Sequence, residues 1–545
     1  MAKTPKLPKW FWLGCGTAGL AFVAVFLAGS GIFGWRLYQL EWKPQGRTAL
    51  RFEDARFDFE NVLDISKGTG SLPFMAAVVI DRDGDGRDEA FLGGGRDQAD
   101  GLFAYNDNAR AFINVAAFAG IEKPKGDATM GGGAIDLDGD ALPELFVARE
   151  SGVWLYRNKG DRFEGERLDL PIDASTVPLS ISFGDVNRDG KADFYVSGYL
   201  RNDLVEGQTI FTRPYGGYSY LFVNNGDDSW RDATEEYGLK RQHNTFTALF
   251  ADLDNDFDGD LVVAEDTGVV ETWENTGAPP MRRIDNPSVN SYPMGVAAGD
   301  IDNDGRTDLY FSNVGPTIPE AVVRGDLPED APFNPDYMLF RNLGGLKFED
   351  AAKSLKAARL GFGWGAVAAD LDLDGHEDFV IAQNYAKFGQ PAIIHRYSCK
   401  IMRNEGGAGF APVERRTGAA NRRFAIAPMI GDYDGDGRPD LIWANLNGPS
   451  QAHLNRTPGA NVIRIAFPDA VLSLHARVEV VAGATRIYRE VVSSQGLASD
   501  QSASLFIGLG AETAADKVTI RFADGRTEEH SDVAAGDVII PGETR

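Results

Sequence analysis

A nine-residue pattern of acidic residues and glycine constrains this chain more than any other feature of its sequence. In its clearest copy, residues 432–440, carboxylates occupy positions 1, 3, 5 and 9, and Gly437 at position 6 allows a sharp backbone turn. Carboxylates that alternate along a tight turn bring hard oxygen ligands towards one point, which suits Ca²⁺. The apolar residues 441–444 follow directly and predict a buried strand. The pattern therefore indicates a calcium loop that opens onto a strand.

Six further copies show that the pattern is a repeat. The first residues of neighbouring copies lie between 48 positions (Asp252 to Asp300) and 70 positions (Asp300 to Asp370) apart, and apolar stretches flank each copy. This period fits one four-stranded blade of a β-propeller. The fold predicted is an all-β, seven-bladed β-propeller with calcium-binding hairpin loops. Loops 1 to 7 begin at Asp81, Asp136, Asp185, Asp252, Asp300, Asp370 and Asp432.

The EF-hand, whose loop begins in the same way, is excluded in every copy. An EF-hand needs a bidentate Glu at position 12 and a helix on each side. The flanks here, such as residues 77–80 and 379–382, are short and rich in β-branched or aromatic residues, as strands are. Each loop is therefore predicted to be a turn between two strands. Position 12 is apolar throughout, being Leu92, Val147, Val196, Val263, Phe311, Ile381 and Trp443.

The charge of the chain agrees with this interpretation. With 54 basic and 80 acidic residues, the formal net charge is −26. A nucleic-acid-binding protein needs a basic surface, so this class of partner is excluded. Seven bound Ca²⁺ ions, one for each loop, would bring the charge to −12. The acidity is thus mainly a signature of metal binding, with Ca²⁺ as a structural cofactor at up to seven sites.

The N-terminal residues predict a membrane anchor. Residues 1–9 contain three lysines and are predicted to be a cytoplasmic tail; residues 10–35 carry no charge and exceed the roughly 20 residues that a membrane span needs. Residues 36–48 form a linker. Positive charge before the span places the N-terminus in the cytoplasm and the bulk of this single-pass protein outside, which in a bacterium is the periplasmic side of the inner membrane. The alternative is secretion after cleavage of a signal peptide near residues 28–30.

The two cysteines predict no disulfide. Cys15 lies inside the predicted span, whereas Cys399 precedes a predicted strand far along the chain. An exported domain without disulfides needs another brace. Calcium that binds only the folded hairpins would supply it.

A second signature follows each loop and its strand: an apolar strand that ends near Asn and Gly, and then an aromatic residue. It predicts the third and fourth strands of a blade, joined by a tight turn. The last unit lacks a clear fourth strand, so residues 52–59 are predicted to supply it and close the ring. Clear copies of the signature occupy residues 155–160, 221–226, 339–344 and 402–406.

These motifs resemble a known family. The loops resemble the FG-GAP/VCBS repeats of integrin α-subunit propellers, and the Asn-Gly-aromatic signature, with residues 363–365, more closely resembles bacterial cartilage-acidic-protein-like proteins. Residues 493–496, 502–510 and 518–525 resemble the ASPIC/UnbV domain that ends those proteins, although His475 stands where that family usually has Gly. The resemblance implies a propeller over residues 49–457 and a small ASPIC/UnbV-like β-sandwich over residues 458–545.

The resemblance also implies a set of metal ligands, namely side chains at positions 1, 3, 5 and 9 and the backbone carbonyl at position 7. The implied ligands are Asp81, Asp83, Asp85, Arg87 and Glu89; Asp136, Asp138, Asp140, Leu142 and Glu144; Asp185, Asn187, Asp189, Lys191 and Asp193; Asp252, Asp254, Asp256, Asp258 and Asp260; Asp300, Asp302, Asp304, Arg306 and Asp308; Asp370, Asp372, Asp374, His376 and Asp378; and Asp432, Asp434, Asp436, Arg438 and Asp440.

Two loops depart from the pattern at the bend. Ala141 and Phe257 replace glycine at position 6 of loops 2 and 4, and in loop 4 the nearby Gly259 is predicted to take over the bend. Calcium binding is therefore least secure in these two loops. Asn187 at position 3 of loop 3 lowers the ligand charge but keeps an oxygen.

Three long insertions predict a binding surface. They lie between the second and third strands of blades 3, 5 and 6, at the ends opposite the calcium loops. Aromatic and arginine residues on long loops are typical of recognition surfaces, although packed loops of no function are the alternative. The candidate residues of this face are Phe211, Arg213, Tyr215, Tyr218, Arg324, Tyr385, His395, Arg396 and Tyr397.

The function favoured by these features is a membrane-anchored, calcium-stabilised propeller that binds a protein or a glycan. The alternative is a polysaccharide-active enzyme, such as a lyase, on the same scaffold. The sequence contains no nucleophile motif and no metalloprotease motif, and a single histidine such as His395 is more often structural than catalytic. Enzyme activity is the less favoured hypothesis.

Overall fold

The computed structural model describes residues 43–62, 72–227, 229–318, 320–384, 397–459, 461–468 and 470–542. The chain divides into two units, Met1–Pro44 and Gln45–Arg545, and all that follows concerns the second. The predicted cytoplasmic tail and membrane span, and most of the predicted linker, lie outside the described residues. Within the described residues, no helix is both long and apolar enough to cross a membrane.

Seven sheets, each containing four antiparallel strands, account for most of the unit. Sheets 1 to 7 are numbered by their acidic loops, and each runs from an innermost first strand to an outermost fourth strand. The first six comprise β2 Ala77–Ile80, β3 Glu89–Leu92, β4 Gly101–Asn106 and β5 Ala111–Asn114; β6 Thr129–Ile135, β7 Glu144–Arg149, β8 Gly152–Asn158 and β9 Phe163–Arg167; β10 Thr176–Gly184, β11 Asp193–Leu200, β12 Tyr220–Asn224 and β13 Trp230–Asp232; β14 Thr245–Ala251, β15 Asp260–Glu265, β16 Glu271–Glu274 and β17 Arg282–Ile284; β18 Val296–Gly299, β19 Asp308–Phe311, β20 Met338–Asn342 and β21 Phe348–Asp350; and β22 Gly363–Ala369, β23 Asp378–Gln383, β24 Lys400–Asn404 and β25 Phe410–Pro412.

The seventh sheet joins the two ends of the repeat region. It contains β26 Ala425–Gly431, β27 Asp440–Asn445, β28 Gln451–Asn455 and, as its fourth strand, β1 Phe52–Ala55. Phe52 pairs with Asn455 and Ala55 with Ala452. The expectation that residues 52–59 complete the last sheet is confirmed, with the strand limited to β1. This pairing covers an edge that would otherwise be exposed.

The first strands of the seven sheets contact one another in a closed cycle, in the order β2, β6, β10, β14, β18, β22, β26 and back to β2. Both faces of each first strand are therefore covered by neighbouring sheets. Strands buried on both faces are apolar throughout, unlike half-exposed strands, which alternate. Accordingly, all four residues of β2 are buried, whereas β9 at an outer edge buries only Phe163.

Residues 461–542 form two further sheets that pack face to face. One contains β29 Asn461–Ala466, β33 Ser504–Gly510 and β36 Val538–Ile539, and the other contains β30 Arg477–Ala482, β31 Thr485–Glu490, β34 Ala514–Arg521 and β35 Thr527–Ala534. Apolar residues from both sheets, including Ile463, Val480 and Val518, share one buried cluster. The predicted small β-sandwich is present.

A short segment of this C-terminal domain enters the centre of the ring. Residues 493–502 carry β32 Ser499–Asp500, which pairs in parallel with β2. The backbone of Gly496 exchanges two hydrogen bonds with Val296, and the Gln495 side chain accepts from the amides of Ala298 and Ala368. In total the segment bonds to the first strands of six sheets. We call residues 493–502 the axial segment.

Helices are few and short in the described residues. They are α1 Glu320–Val323 and α2 Glu414–Thr417, with 3₁₀ turns at Asn202–Leu204, Gly315–Thr317 and Val471–Ser473.

Candidate metal centres and the insertion face

All seven acidic loops connect the first and second strands of their sheets and adopt one hydrogen-bonding scheme. In each loop the carboxylate at position 1 accepts the backbone N–H of position 6, at 2.6–3.0 Å. The carboxylate at position 5 accepts the N–H of position 7, at 2.8–3.2 Å. These bonds hold the side chains of positions 1 and 5 on the inside of the turn. The scheme needs only residues within the loop, which explains why it repeats.

The bend of each loop remains at position 6, even where glycine is missing. Ala141 and Phe257 adopt φ angles of 69° and 70°, in the left-handed region that glycine usually occupies. The prediction that Gly259 takes over the bend in loop 4 is wrong. A Cβ on Gly259 would instead collide with the ring of His475 from the C-terminal domain. Close approach of the two domains, not backbone conformation, therefore requires this glycine.

The position-9 carboxylates lie deepest in the loops. In six loops this side chain accepts the backbone N–H of position 2, as Asp440 does from Tyr433 at 3.2 Å. In six sheets it also accepts a backbone N–H from an Asn at the end of the third strand, as Asp308 does from Asn342 at 2.7 Å. Position 9 thus connects three strands of its sheet and faces the loop interior.

The carboxylates converge as one cation site would require. In at least five loops, three carboxylate oxygens lie within 4.8 Å of one another, from positions 1, 3 and 5 in loops 1, 4, 5 and 6 and from Asp136, Asp138 and Glu144 in loop 2. Ligands at 2.3–2.6 Å from a single Ca²⁺ lie at most about 5 Å apart. The spacing is therefore that of oxygens sharing one ion.

Several of these oxygens are buried without any hydrogen-bond partner. They include Asp81 Oδ1 at position 1, Asp378 Oδ2 at position 9, and the Oδ1 atoms of Asp302, Asp372 and Asp434, all at position 3. A buried carboxylate oxygen without a partner costs free energy that a bound cation would remove. The residues present fit a hard divalent cation.

Burial also raises the pKa of these carboxyl groups. It raises the pKa of Glu89 and of Asp260 to about 9, and that of Asp193 to about 7. Burial likewise raises the pKa of Asp308, Asp378 and Asp440 well above the usual range, and acidic neighbours in the same loops raise it further. So many buried carboxyl groups in one repeated position are electrostatically costly without a positive charge.

Asparagines that end the third strands connect neighbouring sheets, a role that the sequence analysis missed. The Asn404 side chain donates to the carbonyl of Ile301 at position 2 of loop 5 and to that of Glu377 at position 8 of its own loop. Asn158, Asn342 and Asn455 make the same pair of bonds to loops 1, 4 and 6 and to their own loops. The sequence signal for this role is the asparagine that recurs at the end of the third strand of each of these sheets.

The C-terminal domain covers part of the loop end of the sheets. Arg464 donates to Asp432, Arg477 to Asp252, and Arg489 to the carbonyl of Gly375. Glu490 accepts the backbone N–H of Asp252 at 2.8 Å and contacts Thr307. No sequence motif announced these residues, because their partners lie far away along the chain.

The described residues of the predicted binding face lie at the opposite end of the sheets, in the connections between second and third strands. The insertions of sheets 3 and 5 contact each other: Asp326 accepts from Phe211 N and from Thr212 Oγ1, both at 2.6 Å. Phe211 packs half-buried against Tyr292 and Phe333. The two insertions therefore form one layer, which we call the crown.

Several candidate residues serve this packing. Arg324 donates to the carbonyls of Glu329 and Ala331 and lies over the Phe333 ring. Tyr397 is buried and its amide donates to Asn384. Tyr215 and Tyr218 are half-buried, and the exposed Arg213 pairs with Glu206. Tyr385, His395 and Arg396 lie outside the described residues.

Beneath the crown, aromatic side chains fill the axis of the ring. Trp364 packs against Phe74, Phe246 and Phe424, with ring centroids 5.6–6.2 Å apart. With the axial segment at the other end, described residues occupy both ends of the axis. Cys399 is buried nearby with a free thiol, and burial raises its pKa to about 12.

Comparison with known proteins agrees with this architecture. Residues 136–196 and 252–311 match the FG-GAP-like repeat, and residues 472–543 match the ASPIC and UnbV domain. The fold and its repeated loop thus define a propeller-type FG-GAP-repeat protein. Human cartilage acidic protein 1 is 24% identical over 350 residues, which are 59% of this chain and 49% of that protein. The chain thus resembles cartilage acidic protein 1 and carries FG-GAP-like repeats and a C-terminal ASPIC and UnbV domain, and the match spans about half the length of this relative.

Two solved structures are similar to this chain at lower sequence identity. An N-acetylglucosamine-recognising lectin from Agrocybe aegerita is 14% identical, with a TM-score of 0.38 over 62% of this chain and 79% of the lectin. BBS1N, solved in complex with ARL6DN, is 12% identical, with a TM-score of 0.45 over 75% of this chain and 98% of its own.

Proposed function

We propose that this protein is a calcium-stabilised, seven-bladed propeller that binds a partner protein through its crown. The seven sheets are the blades, and each acidic loop holds one Ca²⁺ with the side chains of positions 1, 3, 5 and 9. The single observation that supports the metal is the set of buried, partnerless carboxylate oxygens in loops 1, 5, 6 and 7. Calcium bound there would oppose the repulsion within each loop and stabilise the hairpin.

The exposed side chains of the crown favour a protein partner over a glycan. Leu204, Val205 and Val322 are 50%, 41% and 65% exposed, whereas Phe211 and Tyr397 face inwards. Sugar recognition would use flat aromatic rings on the outside, whereas exposed apolar side chains rimmed by polar residues mark protein-binding sites, where arginine is enriched. Arg213 supplies the charged group at this surface. The crown therefore has the chemistry of a protein-binding surface.

Crosslinking followed by capture of the native, full-length protein from its own cells tests this proposal. Val322→Glu should abolish capture of the partner, because a charge in the centre of an apolar contact must be desolvated. Ile113→Glu is the matched control, since Ile113 is also exposed (45%) but lies on β5, outside the crown. Equal loss with both variants, or loss with neither, would contradict a role of the crown.

A panel of glycans and pectins, incubated with the same protein, tests the two other hypotheses. If the protein binds one glycan saturably, and Val322→Glu does not weaken this binding, the ligand is a glycan and the proposal of a protein partner is wrong. New reducing ends or unsaturated products would replace the binding function with that of a polysaccharide-active enzyme.

Membrane anchoring remains a proposal that rests on residues 10–35. An anchored, periplasmic protein should stay with the membrane pellet in alkaline carbonate, keep its full length, and be digested by protease added to spheroplasts. Release of a shortened chain into the medium would instead support the cleaved signal peptide.

A further inference from the structure

We infer that three arginines of the C-terminal domain, Arg464, Arg477 and Arg489, are positioning residues for the calcium ligands of the propeller. The inference rests on the proposed function, because it assigns these side chains to the calcium centres proposed above. Each guanidinium lies between the loops of two neighbouring sheets.

Arg477 shows the arrangement most clearly. Its Nε donates to Asp252 Oδ2 at 2.9 Å, the position-1 carboxylate of loop 4. Its Nη1 donates at 3.1 Å to the carbonyl of Gly305, which is position 6 of loop 5. A third bond, from Nη2, reaches the backbone carbonyl of Asp252 at 2.9 Å. One guanidinium thus fixes the first ligand of one loop and the bend of the next.

Arg464 repeats the arrangement across the seam where the ring closes. Its Nη1 donates to Asp432 Oδ2 of loop 7 at 3.1 Å and to the carbonyl of Gly86, position 6 of loop 1. The side chain is only 8% exposed. Asp432 and Gly86 are 346 residues apart in the sequence, so the C-terminal domain links the last calcium loop to the first.

Arg489 lies between loops 5 and 6. Its Nη2 donates to the carbonyl of Gly375, position 6 of loop 6, at 3.1 Å, and lies 4.0 Å from Asp370 Oδ2. Its Nη1 donates to the Asn303 side chain of loop 5 at 3.2 Å. The backbone N–H of Gly508, from the same domain, adds a bond to Asp370 Oδ2 at 2.9 Å.

In all three cases the arginine approaches Oδ2, the oxygen that also accepts the position-6 N–H. The other oxygen, Oδ1, stays directed into the loop. A donor behind a metal-binding carboxylate fixes its orientation and favours its charged form, and loss of such a donor typically lowers metal affinity about 10- to 100-fold. The docked domain should therefore tighten calcium binding at loops 4, 6 and 7.

Loops 2 and 3 provide an internal reference. Among the described residues, no arginine of the C-terminal domain bonds or pairs with the position-1 carboxylate of these loops, which are Asp136 and Asp185. Substitution of the three arginines should leave their calcium affinity unchanged. The effect is thus restricted to particular sites, unlike a general loss of stability.

The test measures calcium isotherms of the full-length protein by equilibrium dialysis. The wild type should bind up to seven ions, and Arg477→Gln should weaken one site about 10- to 100-fold while the sites of loops 2 and 3 stay unchanged. Arg486→Gln is the matched control, because Arg486 belongs to the same domain, is 60% exposed and, among the described residues, pairs only with Glu479. The double variant Asp252→Asn/Arg477→Gln should bind calcium as weakly as Asp252→Asn alone, because the arginine acts through this carboxylate.

Superimposable isotherms for Arg477→Gln and wild type, or tighter binding by the variant, would overturn the inference. If Arg477→Gln does not fold, Arg477→Lys keeps the charge but loses the three-bond geometry and is measured in the same way, after its melting temperature in saturating calcium has been matched to wild type. A wild type that binds no calcium would instead refute the proposed metal centres, so the two failures are distinguishable.

Discussion

The two ends of the seven sheets differ in how their connections are built. At the loop end, nine-residue turns repeat one hydrogen-bonding scheme seven times, even where Ala141 or Phe257 must adopt a left-handed backbone. At the insertion end, the long connections of sheets 3 and 5 contain different short helical turns and are held by contacts such as Asp326 with Phe211. Repetition at one end and variety at the other indicate that the first end carries the stability of the ring and the second is free to carry recognition.

Removal of calcium should have the largest effect of the experiments that test this contrast. If each of the seven proposed sites stabilises by about 2.7 kcal/mol at a hundredfold excess of calcium over Kd, the folded ring should be strongly calcium-dependent. Chelator should lower the melting temperature by well over about 10 °C, as followed by circular dichroism, and added calcium should restore it. Unchanged melting after metal removal has been verified by elemental analysis would refute the structural role.

Substitution of one carboxylate at each end should destabilise the protein to very different extents. Asp432→Asn affects a fully buried position-1 side chain that accepts from Gly437, Asp436 and Arg464, so about 3–5 kcal/mol of stability and one calcium ion should be lost. Asp326→Asn affects the exposed crown contact and should cost less than about 1 kcal/mol, with no loss of calcium. Denaturant unfolding with calcium counting checks both, and equal costs would break the contrast.

The asparagine links between sheets should contribute somewhat less. Asn404→Ala leaves the buried carbonyls of Ile301 and Glu377 without their donor and should cost about 2–4 kcal/mol in chemical denaturation. Asn224→Ala is the matched control, because among the described residues the Asn224 side chain donates only one long bond, to the carbonyl of Ala192 at 3.3 Å, and the residue is partly exposed. It should cost about 1 kcal/mol, and a larger cost than Asn404→Ala would contradict the role of the inter-sheet bond.

A smaller effect than that of Asn404→Ala is expected at the contact between loop 4 and the C-terminal domain. Gly259→Ala places a methyl group against the His475 ring and should destabilise by about 1–3 kcal/mol. His475→Gly should rescue it in part, because it removes the ring and suits the left-handed φ of 61° at that position, whereas the contact of the new methyl group with Phe250 Cβ at 2.9 Å remains. A double-mutant cycle by thermal melting measures the coupling, and additive effects would show that the two residues do not depend on each other.

Much of the propeller was predictable because its signals are local. The Asp/Gly pattern specifies a turn whose bonds join residues two to five positions apart, as Gly437 and Asp432 do. The missing fourth strand was predictable from the edge that the last sheet would otherwise expose, and β1 fills it. The prediction that the bend of loop 4 moves to Gly259 was wrong, because this glycine is required by a contact with the C-terminal domain and not by the backbone of the loop.

The sequence by itself determined seven acidic hairpins, their strands and a separate C-terminal β-domain, since each depends on residues close together in the chain. Only the tertiary structure decided where that domain lies, that residues 493–502 enter the ring axis, and that Arg464 joins loop 7 to loop 1. It also decided that Phe211 and Tyr397 pack inwards. These features depend on partners up to hundreds of residues away, and the burial of a side chain is settled only when such partners meet.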